Sequence, residues 1–238
     1  MAPVNPNQHI SHKFDEEMED LRNQVLKMGG FVEQQIRRAS AALRELNENE
    51  AEAVIENDHY INALEVSIDE ECGRILVRRQ PAASDLRMVV AVIKTITDLE
   101  RIGDEAQRIA KMALNIAEQD GMVHNRYIGI THLSERVIKM AHDVLDAFAR
   151  LDADAAFEVV RDDEKTDAEY QSIMRQMLTY MMEDPRTISE SLNIMQAARA
   201  LERIGDHAMN IGEYIIYLVK GKDIRHISIR DVEKDFLL

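Results

Sequence analysis

A chain of 238 residues with nine glycines, four prolines, no tryptophan and only 5% aromatic residues offers few places for the backbone to break. Leu, Ile, Val, Met and Ala, with Glu, Lys, Arg and Gln, fill most positions, a composition that favours helices throughout. The formal charge of −15 argues against sequence-independent binding to nucleic acid, which needs clustered Lys and Arg, and disfavours an anionic membrane surface. An acidic surface remains compatible with cations and with basic patches on other proteins.

Cys72 is the sole cysteine, so no intrachain disulfide and no thiolate zinc site can form. Its neighbours Ile68 and Ile75 put it at a half-buried helical position. The first residues lack the basic start and apolar run of a signal peptide, and the longest apolar runs, such as MVVAVI, are far too short to span a bilayer. The expectation is a soluble cytoplasmic protein with no direct membrane insertion.

Taken in chain order, a first helix is expected over 8–46, interrupted at Asn47-Glu48-Asn49, with Asn49 placed to cap a second helix over 50–79. Pro81 suits the first turn of a third helix over 82–118, where its missing N–H costs little. The pattern stops around Gln119-Asp120-Gly121. A fourth helix is expected over 124–151, and Asp152 reads as the N-cap of a fifth over 153–183. Asp184-Pro185 is a cap-plus-proline start for a sixth over 185–220, and Gly221 fits its C-cap.

These six helices are three plus three. Shifting the chain by 102 residues lays LERIGD at 99–104 onto LERIGD at 201–206, and Ala106 with Ile109 onto Ala208 with Ile211. VLKM at 25–28 resembles VIKM at 137–140, and VIEND at 54–58 resembles VVRDD at 159–163. Duplication of a three-helix unit is the simplest account. The expected fold is all-α: two tandem, pseudo-symmetric three-helix bundles of six long antiparallel helices, with domains at 1–119 and 120–238.

The repeated hexapeptide is costly for a helix. Glu100 continues a stripe of Val89, Ile93 and Ile96, and Asp104 lies one turn further along it. Arg87, Lys94, Arg101 and Glu105 read as the solvated face. Glu202 and Asp206 repeat the arrangement after Met195 and Ala198. Like charges at i,i+4 destabilise a helix by roughly 0.2–0.5 kcal/mol, and an interior glycine adds about 1 kcal/mol relative to alanine. Gly103 and Gly205 would admit a neighbouring helix or a ligand. The second helix of each half supplies a counterpart: Asp163 and Asp167 in one, Asp58 and Asn62 in the other. Converging carboxylates favour Mg²⁺, Mn²⁺ or iron over structural zinc. The competing reading is a set of seam salt bridges to arginines such as Arg74, Arg78 and Arg101. His207, beside Asp206, reads as an extra ligand or as merely exposed, and Met174, Met177, Met181 and Met182 as core filling.

LERIGD twice, QPAASDLRMV before the first copy, VIENDHYIN in the second helix and LERIGDHAMNIGEYIIYLVKGKDIRH at the end together resemble the PhoU family, over Phe14 to His226. The resemblance implies two related three-helix bundles and a cytoplasmic negative regulator of the phosphate-starvation response and of phosphate uptake. It implies partners: the ATPase subunit of a phosphate ABC transporter and a sensor histidine kinase, and often a second copy as a homodimer. It also implies metal clusters held through Glu/Asp-x-x-x-Asp motifs, here Glu100–Asp104, Asp163–Asp167 and Glu202–Asp206, with Mg, Mn, Fe or Zn left open. Asn62 replaces an acid in the remaining pair, Asp58–Asn62, which predicts weaker or fewer metals in the first half.

From the residues themselves, no nucleophile with a base, no phosphate-cradling glycine loop and no dinucleotide fingerprint is found, so no chemistry of its own is expected, in keeping with the regulatory adaptor that the resemblance implies. A carboxylate-ligated metalloenzyme would need paired Glu-x-x-His motifs, and Glu56–His59 stands without a partner motif. A helical scaffold with or without metal is the third reading.

Overall fold

The computed structural model describes residues 12–81, 83–118, 128–225, 227 and 231–232. Among them the chain forms α1 (His12–Glu45), α2 (Glu48–Arg79), α3 (Ala83–Ala117), α4 (Ile128–Arg150), α5 (Ala153–Glu183) and α6 (Ile188–Lys220). The all-α expectation holds. The expected starts at 8 and 124, the break at 119–121 and the domain boundary between 119 and 120 lie outside the described residues.

The helix ends show why the elements stop where they do. Asn47, not Asn49, caps α2, accepting a hydrogen bond from the Glu50 N–H at 3.2 Å. Asp152 caps α5 in the same way, accepting from the N–H groups of Asp154 and Ala155 at 3.1 and 3.0 Å. The two turns are copies of each other: Leu46 and Leu151 precede the caps with φ of 49° and 53°. The N–H groups of Asn47 and Asp152 donate to the carbonyls of Ala42 and Ala147. Pro81 precedes α3 instead of lying in its first turn. Pro185 opens a 3-10 turn, Pro185–Thr187, before α6. Gly221 ends α6 with φ 70°, its N–H donating to the Tyr217 carbonyl at 2.9 Å. That conformation suits glycine.

Helices α1, α2 and α3 pack on one another, as do α4, α5 and α6, and α3 against α6 is the principal seam between the halves. The seam is antiparallel: Lys94 lies over the Tyr214 ring, Asp98 meets His207 and Asn210, and Glu105 meets Arg203. A second contact joins α1 to α4, where the Arg22 guanidinium donates to the Ala149 carbonyl at 2.6 Å. Gly29 permits close approach there, since a Cβ on it would fall 2.3 Å from Leu145 Cδ2. One continuous apolar core results, running from Leu21 and Ile36 through Ile61, Ile96 and Phe148 to Ile204 and Ile211.

Cys72 is fully buried in this core, and burial pushes its thiol up to about 12. Met177 is buried, and Met174 and Met181 pack against the core. Met182 is 85% exposed, so the core-filling expectation fails for that residue.

Candidate metal centre

The acids converge because glycine lets two helix pairs close on each other. A Cβ on Gly205 would stand 3.0 Å from Thr166 Cγ2 and 3.4 Å from Asp163 Oδ1. A Cβ on Gly103 would stand 2.9 Å from Ile61 Cδ1 and 3.5 Å from Asp58 Oδ1. The glycine of each LERIGD thus faces the i,i+4 pair on the preceding helix, α5 in one half and α2 in the other.

In the second half, carboxylate oxygens of Asp167, Glu202 and Asp206 all lie within 4.8 Å of one another. Burial, then the charges of Asp206, Asp167 and Glu202, push Asp163 up to about 7. Burial and Asp206 push Glu202 up to about 6, against the opposing pull of Arg199, whose guanidinium Nη1 stands 2.5 Å from Glu202 Oε1. Asp206 is raised by burial and by Asp167. Asp163 Oδ1 and Glu202 Oε2 are buried and accept no hydrogen bond among the described residues. Leaving such an oxygen unsatisfied costs about 1–3 kcal/mol, more when charged. Four carboxylates answered directly by one arginine fit a hard divalent or iron-type cation, which takes oxygen ligands.

The first half has the same frame with less charge. Asn62 donates to Asp58 Oδ2 at 3.3 Å, and Asp58 Oδ1 is buried without a partner among the described residues. Burial and Asp104 raise Asp58. Burial, Asp104, Glu65 and Asp58 raise Glu100. Glu65 is therefore part of this cluster, a residue the duplicated motif does not reveal because Tyr170 occupies the corresponding place on α5. The spacing Asp58, Asn62, Glu65 along one helical stripe is the signal that points to it. Asp104 is itself exposed, so the stripe opens to solvent at that end.

Other residues point elsewhere. Glu105, expected on the solvated face, is only 3% exposed, because α6 covers that side of α3; it pairs with Arg108 and Arg203. His207 turns into the α3–α6 seam, its Nδ1 2.7 Å from Asp98 Oδ1, and so lies apart from the acids as placed. Arg74 pairs with Glu71 on its own helix. Among the described residues no ion pair joins Arg78 or Arg101 to the clustered acids, so the seam salt-bridge reading gains no support beyond Arg199.

A model of the PhoU domain matches residues 25–113 and 130–215, one match on each half. The chain is 50% identical over 227 residues to a protein of Pseudomonas aeruginosa named phosphate-specific transport system accessory protein PhoU homolog, covering 95% of this chain and 93% of that one. It is 48% identical over 235 residues to the Escherichia coli phosphate-specific transport system accessory protein PhoU, covering 98% of this chain and 96% of the relative. The crystal structure of PhoU from Pseudomonas aeruginosa superposes with a TM-score of 0.85 at 50% identity, over 88% of this chain and 100% of that one. The phosphate transport system regulatory protein PhoU from Streptococcus pneumoniae superposes with a TM-score of 0.81 at 29% identity, over 88% of this chain and 98% of that one. With both halves matched and relatives of this identity spanning nearly the whole length, the chain belongs to the PhoU domain family.

Proposed function

We propose that this protein is a cytoplasmic negative regulator of the phosphate-starvation response and of phosphate uptake. It acts as an adaptor between the ATPase subunit of a phosphate ABC transporter and a sensor histidine kinase, works as a homodimer and carries out no chemistry of its own. The observation that carries this reading is the end-to-end likeness to relatives named as phosphate-specific transport system accessory proteins. The long acidic helix faces suit docking to basic surfaces. No described helix is long and apolar enough to cross a membrane, so contact with a transporter is assigned to its soluble parts. Glu56 and His59 both lie exposed on α2, with the His59 ring turned to the Glu56 carbonyl, an arrangement that lends nothing to a metalloenzyme.

Asp163, Asp167, Glu202 and Asp206 are the residues that would hold a metal ion. Asp58, Asn62, Glu100 and Asp104 would form a second, weaker site. A bound cation supplies positive charge that offsets the mutual repulsion of these acids. The chain's own contribution is to position them across the glycine contacts.

The test is complementation of a deletion strain of the source bacterium grown in phosphate-rich medium, read by alkaline phosphatase activity. The wild-type gene is expected to silence the enzyme that the deletion releases. A deletion strain that stays silent by itself would overturn the regulatory reading. A variant with Glu100, Asp104, Glu202 and Asp206 all made amides, at matched protein level, is expected to silence it incompletely.

A further inference from the structure

On the side of the molecule where α1 meets α4, a cleft of about 240 Å³ opens between two helical stripes. From α1 come Arg37, Ser40, Ala41 and Arg44, residues three, four and seven apart that share one face. From α4 come Thr131, Ser134 and Glu135. Two guanidinium groups one heptad apart, with hydroxyls between them and a small Ala41 leaving the space open, are an unusual grouping on a chain of charge −15. None of these residues belongs to the acid clusters.

The donors are available. Arg37 gives Nε and Nη2 to Glu33, at 3.1 and 2.6 Å, which leaves its Nη1 N–H groups for another acceptor. Arg44 gives Nη2 to the adjacent Glu45 at 2.8 Å across an exposed contact, a pair of little net strength. Ser40 Oγ is buried in the cleft wall with no hydrogen-bond partner among the described residues. Ser134, itself buried, turns its hydroxyl back to the Ile130 carbonyl at 2.8 Å.

We propose that this cleft is a binding site for hydrogenphosphate. Guanidinium groups match the oxygens of a tetrahedral oxyanion in a two-pronged fashion, and the Ser40 hydroxyl gains the acceptor it lacks. Glu135 supplies selectivity. A carboxylate repels an anion unless that anion carries a proton to donate. Hydrogenphosphate carries one near neutral pH, sulfate carries none, and a phosphate monoester, with its second pKa about 6, has mostly lost its own. The chemistry therefore points to the free ion over an esterified phosphate. The proposal concerns binding and is independent of the regulatory reading.

The experiment is calorimetric titration of the purified full-length chain with inorganic phosphate, sodium sulfate and glycerol phosphate, in a buffer free of all three. The wild type is expected to bind phosphate at least about tenfold more tightly than the other two, the size of one charge-assisted hydrogen bond. Arg44→Ala is expected to weaken phosphate binding about tenfold or more, and Ser40→Ala several-fold. Glu135→Gln is expected to narrow the gap between phosphate and sulfate. Arg44 is exposed, and circular dichroism establishes that each variant keeps its helices. Titration in the presence of chelator separates this site from phosphate riding on a metal ion and is expected to show the same phosphate binding. A wild type that binds no phosphate, variants of Arg44 and Ser40 that bind it undiminished, or loss of binding in chelator would each overturn the assignment.

Discussion

At Asp163, burial and four neighbouring carboxylates act in the same direction and lift it to about 7, whereas an unfolded aspartate titrates at about 3.9. Between those values the folded chain binds the proton and the unfolded chain has released it. In the absence of metal, the stabilising effect of that proton is therefore present at low pH and is lost as pH rises through about 7. Thermal melts in chelator are expected to give a lower Tm at pH 7.5 than at pH 5.5, with the difference shrinking in Asp163→Asn. A variant as pH-sensitive as the wild type would remove Asp163 from the account. Adding Mn²⁺ or Mg²⁺ at pH 7.5 is expected to raise Tm in the wild type, because an ion bound by the folded state alone stabilises it. In Glu202→Gln combined with Asp206→Asn that rise should be largely lost. Repetition made Glu100, Asp104, Glu202 and Asp206 legible in the sequence. Glu65 was illegible because its second-half counterpart is Tyr170. Glu105 was assigned to the wrong face because a helical stripe in isolation carries no record of the second helix, α6, that covers it.

Among the elements, glycine separates two kinds of close-packed helix. Gly30, inside α1, has open space where a Cβ would go, so Gly30→Ala is expected to stabilise the fold by about 0.5–1 kcal/mol through backbone entropy. Gly212, inside α6, faces the Ala156 carbonyl oxygen of α5 at 3.0 Å from a would-be Cβ. A backbone atom cannot turn aside as a flexible side chain can. Gly212→Ala is therefore expected to destabilise by about 1–3 kcal/mol, since it forces α5 from α6. Urea unfolding of the two variants should move the midpoint in opposite directions, and movement in the same direction would contradict the contact. Helix positions were readable because caps and prolines punctuate the chain: Asp152 and Gly221 act where the sequence places them, whereas Asp184 caps the 3-10 turn Pro185–Thr187 instead of α6 itself. The first connection was misread by two residues because Asn47 and Asn49 are equally good caps. The choice between them falls to Leu46, whose left-handed backbone turns the chain before either is reached.

For the molecule as a whole, duplication gives two bundles, but the core does not divide along the duplication. Leu201, Ile204, Ala208 and Ile211 of α6 lie in one apolar cluster with Leu99, Ile102 and Ile109 of α3. Residues 128–220 expressed alone would present that face to water and are expected to lack a cooperative unfolding transition. The whole chain is expected to unfold in a single urea transition followed by circular dichroism. Two resolved transitions would show the halves to be independent. The antiparallel seam of α3 and α6 also bears on how long the protein survives in a cell. A protease must wait for opening, and where opening means unfolding the shared core, any ligand that favours the closed state at one end lengthens the wait everywhere. An ion held between α5 and α6 would thus defend α1 from cleavage without touching it, tying the turnover of the entire chain to what a few side chains hold.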